Sequence, residues 1–300
     1  MKLNKIGHLK GSFESNGDNV MQHTVFAVSL TGILLMVFLL LFLFANGLPV
    51  LKDMSIKRII FGVDWYPMEE PPALGMLPLI VATLAVTLMS SIIALPVAIA
   101  LAVFTSEVAP KKTREFFKVL LELLGFVPSI VLGFIGMMLL APYMQDVFGV
   151  ASGLNLLTSS IILGFLIIPT VASLSEEALS SVSHELREAS FALGATRWET
   201  IRKVVVPFAL PGISAAVLLG VMRALGETMV VLMVSGGAAI VPHSLTDPVR
   251  PLTSTIAAEM GETPVGSVHY HALFFAGLIL LIMTLAINLI SYWIERRRVN

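Results

Sequence analysis

Apolar residues in this 300-residue chain gather into long uninterrupted runs, with the polar residues collected between them. Six runs reach roughly 20 residues or more, the length a helix needs to cross about 30 Å of hydrocarbon. They fall near residues 23–45, 75–104, 116–140, 156–175, 209–235 and 270–293. The pattern predicts an all-α polytopic membrane protein. Its parts are a polar tail (1–22), a first transmembrane helix (23–45), an external loop (46–74), a main transmembrane domain (75–293) and a short tail (294–300). The first run is long enough to span, so it is expected to be an uncleaved anchor. Asp53, Asp64, Glu69, Glu70 and the Pro71-Pro72 pair mark a boundary after it, which makes span one peripheral.

Within the runs, Pro96, Pro128 and Pro169 each fall inside an expected span. An interior proline removes an intrahelical hydrogen bond, so these are packing kinks or the walls of a pathway lined by bent helices. Gly125, Ser129 and Gly133 repeat every four residues, as do Gly212, Ala216, Gly220 and Ala224, giving two faces on which another backbone can approach. Between spans four and five the segment 176–207 is polar, yet it is patterned as two short helices. Leu186, Ala189, Ser190 and Leu193 form a stripe, Gly194 supplies a helix-ending turn, and Thr196 with Glu199 has capping-box spacing for a new helix running to Pro207. This knob either packs beneath its own bundle or docks on something else.

Composition agrees with the pattern. Hydrophobic residues make up 56% of the chain and charged ones 13%, which excludes an ordinary soluble domain. Fourteen Lys and Arg fall on one side of the spans, including Lys111, Lys112, Arg114, Lys118 and Arg187, and only Lys52, Lys57, Arg58 and Arg250 on the other. By the positive-inside rule both termini are cytoplasmic. The absence of cysteine removes disulfides and thiolate chemistry. His269 and His271 flank Tyr270 outside the membrane; two alternating histidines are too few for a metal site and read as surface residues.

The remaining basic residue, Arg223, lies inside span five, one helical turn before Glu227. Each charge at the bilayer centre costs about 2.5–3.5 kcal/mol. An exposed i,i+4 pair returns only about 0.2–0.5 kcal/mol, so self-pairing is a weak reason to keep them. The pair either locks helices or forms a mid-membrane site. A guanidinium presents a planar fork of donors to an anion at any physiological pH. Glu227 is suited to accept from a protonated oxygen of such an anion, or to hold Arg223 in place.

Two spaced motifs resemble those of known transporters. Glu188-Ala189-Ser190, Gly194, Val204, Val206 and Pro207 resemble the cytoplasmic signature of binding-protein-dependent ABC importer permeases of type I. Arg223-Ala224-Leu225-Gly226-Glu227-Thr228 resembles the motif of phosphate importer permeases, and the residues after it are more similar to PstC-type than to PstA-type subunits. Further similarity lies in 128–134, 168–176 and 256–262. The resemblance implies a type I permease fold in a bacterial inner membrane, with a substrate path at Arg223, Glu227 and Thr228. It implies an ATPase-coupling knob at Leu186, Glu188, Ala189, Leu193 and Gly194. The implied partners are a second permease subunit of PstA type, two cytoplasmic ATPase subunits and an extracytoplasmic phosphate-binding protein, with no nucleic acid. No Gly-Lys dipeptide occurs, so no Walker A loop is present, and ATP and Mg are expected only through the ATPase. No cofactor or metal is expected on the chain itself. The competing readings are a proton-coupled anion transporter with Glu227 as relay, and an ABC permease for another oxyanion. For an intramembrane enzyme, the chain has no His-Glu-x-x-His, no Gly-x-Ser-x-Gly and no paired membrane aspartates.

Overall fold

The computed structural model describes residues 5–299, with side chains described for 21–290 and Trp293. The ends of the two expected tails, residues 1–4 and 300, lie outside the described residues. In chain order the helices are α1 (Lys5–Gly47), α2 (Ile56–Phe61), α3 (Leu77–Val103), α4 (Lys111–Gly125), α5 (Ser129–Ile135), α6 (Ala141–Phe148) and α7 (Leu156–Ser180). They continue as α8 (His184–Ala192), α9 (Arg197–Thr200), α10 (Val206–Leu225), α11 (Met229–Val234), α12 (Leu252–Glu259) and α13 (Val268–Val299). One two-stranded antiparallel hairpin, β1 (Trp65–Tyr66) with β2 (Ala73–Leu74), sits in the segment expected to be a loop.

Six helical stretches are long and apolar enough to cross a membrane among the described residues. The most deeply buried is α7, packed between α3 and α10. On α3, Ala82, Val86, Ser90, Ala94, Ala98 and Ala102 recur every fourth residue and are all buried. Small side chains at that spacing let α7 approach closely. The small face of span five does the same from the other side. A Cβ on Gly220 would stand 2.3 Å from Val171 Cγ2, and one on Gly212 2.6 Å from Ala178 Cβ, so only glycine permits this approach of α10 to α7. As expected, α1 is peripheral. It touches α13 through contacts such as Phe42 on Phe274, and its apolar length is otherwise exposed.

Three expectations change. Span three is displaced: the crossing stretch is Ser129–Phe148, and α4 is a separate amphipathic helix before it. Its hydropathy is raised by one apolar face, which a window average cannot distinguish from a uniformly apolar segment. Pro128 therefore caps α5 instead of kinking a span, and Gly125 lies across a break from Ser129 and Gly133. The helix after the capping box also does not end at Pro207. It continues through a π-helical turn, Ile201–Val205, into α10. That wider turn directly before the proline accommodates a residue with no N–H to donate. Finally, span five is broken. α10 stops at Leu225, and the chain turns through residues 226–228 before the short α11. Irregular backbone at membrane depth is tolerated where protein buries it, and Val230, Val231 and Val234 are buried.

Candidate functional site

The break in span five separates the two charges. Arg223 is exposed near the end of α10, and its Nη1 donates to Thr170 Oγ1 on α7 at 3.3 Å. Glu227 lies past the helix end and turns the other way. Its Oε1 accepts from the backbone N–H groups of Met229 at 3.2 Å and Val230 at 3.3 Å. No Arg223–Glu227 ion pair exists among the described residues, because the continuous turn that would have stacked them is absent. The carboxylate instead satisfies two amides that begin α11, a favourable placement for a negative charge. Thr228 Oγ1 reaches only back to Gly226 O at 3.4 Å, while Thr253 Oγ1 on α12 donates to Glu227 O at 2.7 Å and pins the break.

Depth follows from α7, whose 25 residues span about 37 Å at 1.5 Å per residue. Thr170 lies about 21 Å from its Leu156 end and about 15 Å from its Ser180 end. Arg223 therefore sits near mid-depth, on an exposed face of this chain, and makes one hydrogen bond and no ion pair among the described residues.

The knob is built largely as its spacing implied. Gly194 takes φ +83°, Thr196 accepts from Glu199 N, and the Glu199 carboxylate accepts from Thr196 N, a complete capping box. The Thr196 N–H first, then the Thr196 hydroxyl and after it the Lys203 ammonium, lower the Glu199 pKa to about 2. The expected stripe is divided between two surroundings. Leu186 packs against the core cluster of Leu179, Val182 and Val205, Ser190 bonds Thr200 Oγ1 at 2.9 Å, and Ala189 and Glu188 are exposed. Leu193, at the tip beside Gly194, is 90% exposed, with Phe191 and Trp198 exposed nearby.

Charged contacts that sequence spacing did not single out fix the knob to the bundle. Arg187 pairs with Glu107 at 2.7 Å and donates to Leu179 O and Val182 O, while Arg197 donates to Glu107 O. Arg114 on α4 pairs with Glu176 and donates to Ser180 of α7. Only the carboxylate and arginine types were visible beforehand; partners 62 to 90 residues apart in sequence carry no local signal.

At the opposite end His269 is buried, contrary to its expected surface position. Its Nε2 bonds Glu259 Oε2 at 2.7 Å, and Glu259 also takes Arg250 at 2.8 Å and the Trp65 indole at 3.2 Å. Trp65 from the hairpin closes over the histidine, which the hydropathy of the loop could not show. His271 bonds the Asn46 carbonyl, and no group of three or more metal-ligating side chains occurs among the described residues.

The comparisons with known proteins agree with this architecture. Residues 94–300 match the family described as binding-protein-dependent transport system inner membrane component. The chain is 41% identical over 262 residues to a probable ABC transporter permease, YqgH, of Bacillus subtilis, covering 86% of this chain and 85% of that protein. It is 32% identical over 274 residues to the phosphate transport system permease PstC of Mesorhizobium japonicum, covering 85% and 83%. Among solved structures, the inward-facing MetNI methionine ABC transporter matches with a TM-score of 0.59 at 23% identity, covering 77% of this chain and 99% of that one. A bacterial alginate importer matches with a TM-score of 0.61 at 16% identity over 95% and 99%. The fold is thus that of type I ABC importer permeases, and the chain belongs to the family of binding-protein-dependent inner-membrane transport components, as a multi-pass inner-membrane protein.

Proposed function

We propose that this chain is the PstC-type half of an ATP-driven importer of inorganic phosphate, with Arg223 as the mid-membrane residue that meets the anion. The observation that carries this reading is Arg223 itself: exposed on this chain, near mid-depth, with a hydroxyl as its hydrogen-bond partner and no carboxylate among the described residues. A guanidinium facing hydrocarbon costs several kcal/mol. The exposed face of Arg223 therefore borders a second permease subunit and an aqueous path between the two, where an alternating-access site belongs. Thr170 holds the guanidinium in place without neutralising it, which leaves its charge for phosphate. Glu227 shapes the site indirectly by starting α11, and Thr228 lines the same break. The relation to PstC proteins supports phosphate over other anions.

The two termini lie in the cytoplasm, and the exposed tip at Ala189, Leu193 and Gly194 docks on a separate ATPase, which alone binds ATP and Mg. An apolar residue as exposed as Leu193 is stabilised when a partner covers it. An extracytoplasmic binding protein delivers the substrate at the other face.

The test compares Arg223→Lys, Arg223→Gln and Glu227→Gln in the assembled complex, by labelled phosphate uptake normalised to the amount of permease. Arg223→Gln is expected to lose at least about 100-fold in uptake, since an amide cannot offset the anion's charge at mid-membrane. Arg223→Lys retains part of the activity, and Glu227→Gln loses less than Arg223→Gln because an amide oxygen still accepts from the α11 amides. Full uptake by an assembled Arg223→Gln complex contradicts the assignment.

A further inference from the structure

One cation beside the proposed path has no role in the site described so far. α4 runs antiparallel to α7, and their contacts fix the register. A Cβ on Gly125 would stand 3.9 Å from Pro169 Cβ, Leu121 packs in one cluster with Val171 and Ala172, and Arg114 reaches Glu176 and Ser180. Lys118 therefore lies about 10 Å toward the cytoplasm from the level of Thr170, seven residues before Gly125 along the helix. It lines one cleft with Thr105, Arg114, Leu121, Ser173 and Glu176.

Three observations single it out. First, α7 presents a polar face toward the cytoplasm from Thr170. Ser173 and Ser180 are exposed and Glu176 half-buried, at spacings of three and four residues that keep them on one side of the helix. Second, the other cations nearby are committed. Arg114 is paired with Glu176 and Arg187 with Glu107, whereas Lys118 has neither an ion pair nor a hydrogen bond among the described residues. Third, Lys118 does not point where lipid would lie. The exposed apolar side chains of α4, Phe116, Val119, Leu120 and Leu123, lie about 100–160° around the helix axis from it.

We infer that Lys118 is a second cationic station for the transported anion, on the cytoplasmic side of Arg223, and that the polar face of α7 from Thr170 through Ser173 to Ser180 is the exit wall. The inference rests on the phosphate reading of Arg223. A single guanidinium in a low-dielectric setting holds an anion as readily as it attracts one. Release needs a second site, favourable enough to draw the anion on and weak enough to let it go. A lysine meets both conditions, because its ammonium is a compact, strongly hydrated point charge without the bidentate fork that makes arginine the tighter ligand. Ser173 adds a hydroxyl able to donate to a phosphate oxygen or accept from its P–OH.

Complete complexes carrying wild-type chain, Lys118→Ala or Lys118→Arg, reconstituted in proteoliposomes, test this by measuring phosphate uptake and ATP hydrolysis together. Lys118→Ala is expected to slow uptake about tenfold, the lower end of what a focused charge contributes. Hydrolysis stimulated by the loaded binding protein should fall much less, so more ATP is consumed per phosphate. Lys118→Arg keeps the charge but holds the anion more tightly, so its uptake should fall between that of the wild type and that of Lys118→Ala. A structural defect would instead lower uptake and hydrolysis together, and that result, like wild-type uptake by Lys118→Ala or equal losses in both variants, overturns the station. If the wild-type complex carries no phosphate, the reading of Arg223 fails and takes this inference with it. If wild type carries phosphate and Lys118→Ala matches it, this inference alone fails.

Discussion

Thr196 and Glu199 were legible as a capping box because both partners lie within one turn, where spacing alone determines geometry. Arg223 was legible as a charge out of place, but its partner Thr170, 53 residues away, was not. The position of Glu227 misleads for a related reason: its four-residue spacing from Arg223 implies a pair only if the helix continues, and the helix ends at Leu225. The cap makes a prediction at this scale. Glu199 has its pKa lowered from 4.5 to about 2 by the amide and hydroxyl of Thr196. A depressed acid contributes stability that is fully present above its ordinary value and disappears as pH falls through the folded one. Amide-exchange protection at residues 196–200, corrected for intrinsic rates, should hold steady from pH 7 to about 4.5 and decline below it. In Glu199→Ala protection should be lower and flat over that range. A decline in the wild type that begins well above about pH 5 would assign the protection to another group.

Elements were legible in number more than in extent. Long apolar runs give six crossings, but the windows at 116–140 and 209–235 average over breaks. In both, amphipathic or short helices meet at turns whose backbone is satisfied by tertiary contacts, such as the bond from Thr253 to Glu227 O. The four-residue stripe on α3 is plain in the structure but inconspicuous in the sequence, because alanine in an apolar run attracts no notice beside glycine. The knob belongs to this scale. Gly194 has φ +83° and open space around an added Cβ, so replacing it meets no clash and costs only the left-handed backbone, roughly 1–2 kcal/mol. Gly194→Val should therefore insert and assemble normally while the turn relaxes and the tip at Leu193 swings away. Phosphate uptake should fall severely, and ATP hydrolysis should no longer respond to the loaded binding protein. A Gly194→Val complex with normal coupled uptake would remove the knob from energy transfer.

For the whole molecule, hydropathy indicated a polytopic membrane protein and the distribution of Lys and Arg its expected orientation, while the resemblance of the motifs around Gly194 and Arg223 indicated a permease family; the match over residues 94–300 agrees with that family. What the sequence could not convey is the arrangement of polarity around α7. That central helix buries apolar side chains against α3 and α10 and turns Thr170, Ser173, Glu176 and Ser180 toward the remaining side. On the proposed reading, this face is half of a polar path that runs from Arg223 to the end of the bundle where the knob is anchored. The most direct measurement of this account is solute accumulation by the purified complete complex in proteoliposomes. Labelled phosphate is supplied with its binding protein, with ATP present or absent and with excess sulfate as competitor. ATP-dependent phosphate accumulation that sulfate does not displace is expected; accumulation of a different solute with none of phosphate, or phosphate uptake driven by a proton gradient without ATP, would contradict the assignment of this chain to an ATP-driven phosphate importer.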